Sequence, residues 1–280
     1  QSALGAAALW ACSAQQTPAG SHGVQTPVGA DGGVALSKTT PVVIKDEISI
    51  AEFQPLLAEP ILARAQKHID EGNHAAAARE VETQMAKVES TPRNVARFQM
   101  LLGRLREISG DLRGAHASYE LAAAERWPLA GYATLAAGRV LLRSGKTEQA
   151  IGVLERAPKD QPIARDARLL LAEAALKAGK TEIVIDAWRA HIGERPAESN
   201  DYALRLAALL LDRAGAKTDD ASLSDQREAL GLARRVAAEN VARTTILDRA
   251  RKVEKRALEA LPRVEQKRLA RPTAEEELLR

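Results

Sequence analysis

Two short stretches, RSGKTEQA from Arg143 and KAGKTEIV from Lys177, carry the Gly-Lys-Thr ending of a phosphate-binding loop, thirty-four residues apart. Such a loop needs the pattern G-x-x-x-x-G-K-[ST], because its first glycine lets backbone N–H groups wrap the phosphates before the lysine reaches them. Five residues before Gly145 stands Val140, and five before Gly179 stands Ala174. Neither copy has the first glycine. The residues leading into each form an apolar helical pattern (Leu141 and Leu142; Leu170, Leu171, Ala174 and Ala175) where a strand would be needed. Nucleotide chemistry is set aside, and the repetition remains to be explained.

Other reactive side chains are equally poorly placed. His68 and His74 flank two acidic residues in HIDEGNH, a conceivable metal cluster, but the tight HExxH helical spacing is missing and a turn would point these groups to solvent. No G-x-S-x-G nucleophile elbow occurs. Glutamates are plentiful but nearly all fall on expected solvent faces, whereas sugar cleavage needs a carboxyl whose pKa is raised by burial. Residues 241–271 hold ten Lys or Arg against four Asp or Glu, with no aromatic to stack on a base, which reads as a solvated helical face and not a nucleic-acid surface. No catalytic residue, cofactor site or metal site is expected.

The elements that hold these residues explain the repetition. Aromatics make up 3% of the chain and 45% is hydrophobic, so strand formers are scarce and helix formers abundant. Gly72, Gly110, Gly145, Gly179 and Gly215 recur at spacings of 38, 35, 34 and 36 residues. Pro92, Pro128, Pro162 and Pro196 follow at 36, 34 and 34. Glycine permits the left-handed conformation that ends one helix, and proline discourages continuation of the next. Each unit is expected to be helix, turn, helix, loop.

This pattern resembles the tetratricopeptide repeat, with its best copy from Ala133 to Pro162. In that register Gly138 takes the small position of the first helix, Ala150 and Ala157 those of the second, and Pro162 closes the unit. The preceding unit matches through Leu102, Gly103, Ala115, Tyr119 and Ala122. The following one keeps Leu171, Ala172, Trp188 and Pro196, but has Val184 and His191 where alanine is usual, which predicts loosened packing. The resemblance implies an all-α solenoid of helix pairs, each burying its apolar face only by stacking on neighbours. It also implies that the position six residues before each hinge glycine faces a concave groove. That row reads Gln66, Arg104, Arg139, Glu173 and Leu209. Arg104 and Arg139 there could grip an acidic protein or peptide, or be ordinary exposed charges.

The termini add expectations about location. QSALGAAALWACSAQQ resembles the end of an export signal, and LWAC resembles the bacterial lipobox, in which Cys12 would receive lipid; a plain secretory signal or a buried thiol are the alternatives. The domain reading is a truncated signal and lipobox over 1–12, a flexible Gly/Pro/Ser/Thr linker over 13–46, helical repeats over 47–240, and a basic helical segment over 241–280 that leads into a further repeat. That last segment has a capping-box spacing at Thr273 and Glu276. The sequence after Gly215 is expected to insert a polar loop, AKTDDASLSDQ, before the helix REALGLARRVAAENV. Export places the protein in the periplasm or on the outer membrane, with a lipid on Cys12 as its membrane contact.

The order of parts, including FQPLLAEPILARA and the LP…PTAEEELLR passage, is similar to the helical region that precedes the catalytic domain in soluble lytic murein transglycosylases. That family's catalytic Glu-Ser pair and Gly-Leu-Met-Gln segment are not matched. Glu89-Ser90 and Glu198-Ser199 stand at repeat ends with no such segment after them. The resemblance implies a non-catalytic scaffold of a peptidoglycan-cleaving enzyme, with peptidoglycan as a further ligand. The alternative is a repeat lipoprotein that acts only in protein–protein interaction within the envelope.

Overall fold

The computed structural model describes residues 48–269; Cys12, the linker to residue 46 and the Thr273–Glu276 capping box lie outside them. Among the described residues there is no strand. A 3-10 turn at Ile50–Phe53 and a short helix α1 (Gln54–Leu57) lead through a second 3-10 turn, Pro60–Leu62, into the helix pairs. These are α2 (Ala63–Asp70) with α3 (His74–Met85), α4 (Pro92–Ile108) with α5 (Leu112–Ala124), α6 (Ala130–Arg143) with α7 (Thr147–Leu154), and α8 (Ala164–Lys177) with α9 (Thr181–Glu194). Then follow α10 (Asn200–Ala214) with α11 (Asp220–Glu239), and α12 (Thr244–Ala260) with α13 (Arg263–Leu269). Each helix packs on the next, and α4 also touches α6, α6 touches α8, and α10 touches α12. The chain is an α-helical solenoid.

The hinges show why glycine recurs. Gly72, Gly110, Gly145 and Gly179 have φ between 71° and 87°, each two residues after a first helix ends. The next residue's N–H reaches back to a carbonyl five residues earlier: Asn73 to His68, Asp111 to Arg106, Lys146 to Leu141 and Lys180 to Ala175, at 2.7–2.9 Å. This double closure satisfies helix-end carbonyls and needs the left-handed conformation. Asn73 and Asp111 then cap the second helix through their side chains, which accept from Ala76 and Gly114 N–H groups. Gly215 differs, with φ 54° and ψ −141° directly after α10, so the fifth hinge has another geometry.

Small residues set the approach of the two helices in a pair. A Cβ on Gly138 would lie 2.5 Å from the Leu154 side chain, and one on Gly103 would lie 2.7 Å from the Tyr119 ring. Ala150 and Ala157 are buried, and Gln149 is exposed. One repeat after Gly138 and Leu154 the equivalent positions hold Ala172 and Trp188, both buried.

Several local expectations need correction. Pro92 opens α4 at its first turn, where a missing N–H costs nothing, and so begins a unit as well as closing one. The second helix of the third pair stops at Leu154, so Ala157, expected on that helix, lies beyond its end, where Pro158 keeps the chain from continuing the helix. Beside the end of this helix lies a groove of about 490 Å3 lined by residues such as Ala157, Pro158, Ala164 and Leu171. The expected polar loop after Gly215 is mostly helix: Asp219 accepts from the Ser222 N–H at 2.9 Å and starts α11 at Asp220. Val184 and His191, which stand where alanine is usual, are both buried.

Candidate functional site

The two arginines of the first-helix row meet on a glutamate that the sequence did not single out. Arg104 and Glu107 lie one turn apart on α4, and Arg139 and Arg143 lie one turn apart on α6. Glu107 is 2% exposed. Arg139 holds it with two bonds, Nε to Oε1 at 3.2 Å and Nη2 to Oε2 at 2.7 Å. Arg143 donates to Oε1 at 2.7 Å, Arg104 to Oε2 at 3.2 Å, and the Tyr119 hydroxyl of α5 to Oε2 at 2.8 Å. Arg104 and Arg139 are therefore not exposed charges: their side chains are 18% and 13% exposed, and that of Arg143 is 51%.

The electrostatics follow from this geometry. Burial pushes the Glu107 carboxyl up, but Arg139, the hydrogen bonds from Arg139 and Tyr119, and Arg104 outweigh it and hold the group below its ordinary value. Burial, with the Glu107 carboxylate next, pushes the Tyr119 phenol far above its usual range. One carboxylate thus ties together α4, α5 and α6, with three guanidiniums around it. Glu107 is an exception to the expectation that nearly all glutamates lie on solvent faces. The chemistry is nevertheless the reverse of a sugar-cleaving acid, which must be protonated near neutrality.

The cluster borders a nearly filled space. Ile48 and Phe53 from the start of the described chain line it with Met100 and Arg104 of α4 and Tyr132 and Arg139 of α6, leaving about 10 Å3. The rest of the row changes character. Gln66 bonds Asp70 at 2.6 Å, Glu173 receives a bond from Lys177 at 2.7 Å, and Leu209 is buried. Arg104 and Arg139 are brought together, while Glu173 pairs on its own helix and does not join them.

The remaining candidates have structural partners. Gly145 and Gly179 are helix hinges, Lys146 and Lys180 precede the first residues of α7 and α9, and Lys180 pairs with Glu148. His68 lies 3.6 Å from Glu71, and among the described residues no group of three His, Cys, Asp or Glu could hold a metal ion. In the basic C-terminal segment Arg249 pairs with Asp201 and Arg256 with Asp212, tying α12 to α10. Among the described residues no helix is long and apolar enough to cross a membrane. His191 of α9, singled out in the sequence only as a departure from alanine, is a buried histidine. It is 1% exposed, neither ring nitrogen has a hydrogen-bond partner, and it meets the Tyr202 ring edge-on at 4.8 Å.

A solenoid of helix pairs with glycine hinges about every thirty-five residues is the architecture of tetratricopeptide-like repeats. Residues 101–158 and 135–182 match the family described as Tetratricopeptide repeat, so the chain carries these repeats from α4 to the start of α9. Among solved structures, MamA (residues 41 to the end) from Desulfovibrio magneticus RS-1 is 20% identical, over 62% of this chain and 93% of that one, with a TM-score of 0.42. The C-terminal part of a TPR repeat-containing protein from Cytophaga hutchinsonii is 13% identical, over 71% and 85%, with a TM-score of 0.46. A putative kinesin light chain from Podosopora anserina, with nearly identical TPR-like repeats, is 16% identical, over 69% and 92%, with a TM-score of 0.37. No curated protein matches the chain.

Proposed function

We propose that this protein is a scaffold that holds a protein or peptide partner along its row of first helices. The observation that carries this reading is the arginine cluster at the meeting of α4 and α6, where side chains from neighbouring repeats converge on one carboxylate beside an apolar wall. Stacked repeats give an extended surface on which each unit contributes different side chains, and rigid guanidinium forks read carboxylates with defined geometry. The polar groups along the row differ from unit to unit, the arginine–Glu107 cluster on α4 and α6 and the Lys177–Glu173 pair on α8, and such a row suits a patterned partner.

A finer reading places this scaffold in the bacterial envelope after export, held to a membrane by lipid on Cys12. Its support is the sequence around LWAC and the linker that follows. Narrower still, the order of parts supports the helical region of a peptidoglycan lytic transglycosylase, with peptidoglycan as a second ligand. In that setting the chain guides substrate or partners and leaves bond cleavage to another domain.

The test places a photo-crosslinking residue at Glu173, on the row, or at Asp186, on the exposed side of α9. Protein adducts at 173 and none at 186 are expected; equal labelling at both positions, or none, would refute the partner-binding row. The same protein incubated with purified peptidoglycan should release no anhydro-muropeptides. Products that disappear on substitution of one of its own glutamates would overturn the scaffold reading.

A further inference from the structure

The helix α7 is 8 residues long, whereas the second helices on either side of it, α5 and α9, have 13 and 14. The groove beside its end holds about 490 Å3, within the range of roughly 300–1,000 Å3 that ligand pockets offer. Its floor is carbon: Leu154 and Ala157 from the end of α7 and the turn after it, Ala164, Ala167 and Leu171 along one stripe of α8, and Ala190 of α9. Glu155 and Lys159 line it from exposed positions, and neither side chain has an ion pair or hydrogen bond among the described residues. Arg168 also lines the groove but is already held by Glu194 at 2.7 Å. We propose that this groove docks a helix of a partner protein, one that brings two aliphatic side chains one turn apart into the groove and sets a cation and a carboxylate against Glu155 and Lys159.

Three observations select this occupant. The first is the chemistry of the wall. Among the described residues that line it there is no amide or hydroxyl side chain. A strand laid in the groove would find no such group to pair its buried N–H and C=O, while a helix satisfies its own backbone. The second is the size of the floor residues. Four of them are alanines, and small residues are what bring helices close elsewhere in this chain, as at Gly103 and Gly138. The third is charge. One unpaired anion and one unpaired cation beside the same apolar floor suit a partner with both signs: Glu155 repels a wholly acidic segment and Lys159 a wholly basic one.

The groove is a second surface, beyond the row of first helices and independent of it. Glu173 stands two residues after Leu171, about 200° round α8, and Asp186, one turn before Ala190 on α9, is not part of the groove lining. The experiment measures binding of a fluorescein-labelled, end-capped helical peptide, AAKAALEAALAAQ, to the full chain by anisotropy. Its lysine, glutamate and two leucines share one helix face. A reference peptide with both leucines replaced by glutamine should bind at least about tenfold more weakly. Ala190→Phe fills the groove from an exposed position and should weaken binding of the leucine peptide about tenfold or more. Lys159→Glu should weaken it about threefold, and a peptide with lysine in place of its glutamate should recover that loss. Both substitutions are at exposed positions, and circular dichroism should show unchanged helicity. Binding no tighter than that of the reference peptide, or equal binding by the parent and Ala190→Phe, overturns the proposal. Equal binding of a version broken by a central proline would assign the groove to an extended chain. A concentration-dependent dimer that Ala190→Phe abolishes would assign it to a second copy, and either result overturns the partner helix.

Discussion

Glu107 and His191 are both buried titratable groups, at 2% and 1% exposure, and the solenoid treats them in opposite ways. Glu107 has four side chains donating to its two oxygens and stays charged. His191 has no hydrogen-bond partner at either nitrogen, and burial, followed by the nearby Arg165 and Arg168, pushes its pKa down to about 4. Depth of burial does not decide the charge state; the partners do. The front of the array is held by a charge that has to be present, and the α8–α10 region by a charge that has to be absent.

Removing the front charge has the largest expected effect. Glu107→Leu leaves Arg139, Arg104 and Tyr119 without their shared acceptor and should cost about 3–5 kcal/mol in chemical denaturation. A loss under about 1 kcal/mol would show that the guanidiniums relax into solvent, and the contrast with His191 would collapse. Because the folded-state pKa of Glu107 is depressed, its contribution is complete above the unfolded-state pKa and is lost as pH falls through the folded value.

A packing change without charge calibrates the comparison. Ala150, buried in α7 between the two regions, has no room for a larger side chain, so Ala150→Trp should destabilise by about 3 kcal/mol. Gln149→Trp, on the adjacent exposed position, should shift stability by about 0.5 kcal/mol or less. Equal melting temperatures for the two would mean that the register is wrong.

At the rear the expected effect depends on pH. Between pH 6.5 and 4 the unfolded chain protonates His191 and the folded chain does not, so stability falls as pH falls through that window. From pH 7 to pH 5 the loss from this site should be about 2 kcal/mol. His191→Phe should remove most of that slope, and an unchanged slope in the variant would show that another group carries it. The smallest effect belongs to an exposed pair: Arg156 meets Glu120 at 3.0 Å with its side chain 61% exposed, and Arg156→Ala should cost about 0.5 kcal/mol or less. A loss of 2 kcal/mol there would deny that burial is what gives the Glu107 pairings their weight.

The solenoid was legible in the sequence because its hinges demand glycine, and glycine at φ near 73° leaves an unmistakable period. The helix crossings were legible too, since the close approach of Gly138 to Leu154 follows from the register. The early stop of α7 was written in Pro158, and the start of α11 in Asp219, but Pro162 and the polar run obscured them. The Glu107 cluster was only half legible. Arg104 is a local neighbour three residues away, whereas Arg139 and Arg143 arrive from 32 and 36 residues along the chain. One repeat of offset predicts that helices meet there, but nothing in the pattern says which side chain turns inward. His191 looked like a packing flaw because the sequence cannot show that Tyr202 fills the space beside its ring.

Glu107, gripped by Arg104, Arg139 and Arg143, is on this reading a fixed anion that organises the scaffold and not a catalytic acid. Carbon-13 NMR titration of glutamate-labelled protein, with Glu107→Gln to assign the resonance, measures this directly. The account predicts that the Glu107 carboxyl stays ionised down to a pH below the ordinary glutamate value. A Glu107 resonance that titrates near neutrality would contradict it, because that is the behaviour of a protonated acid ready to cleave a bond.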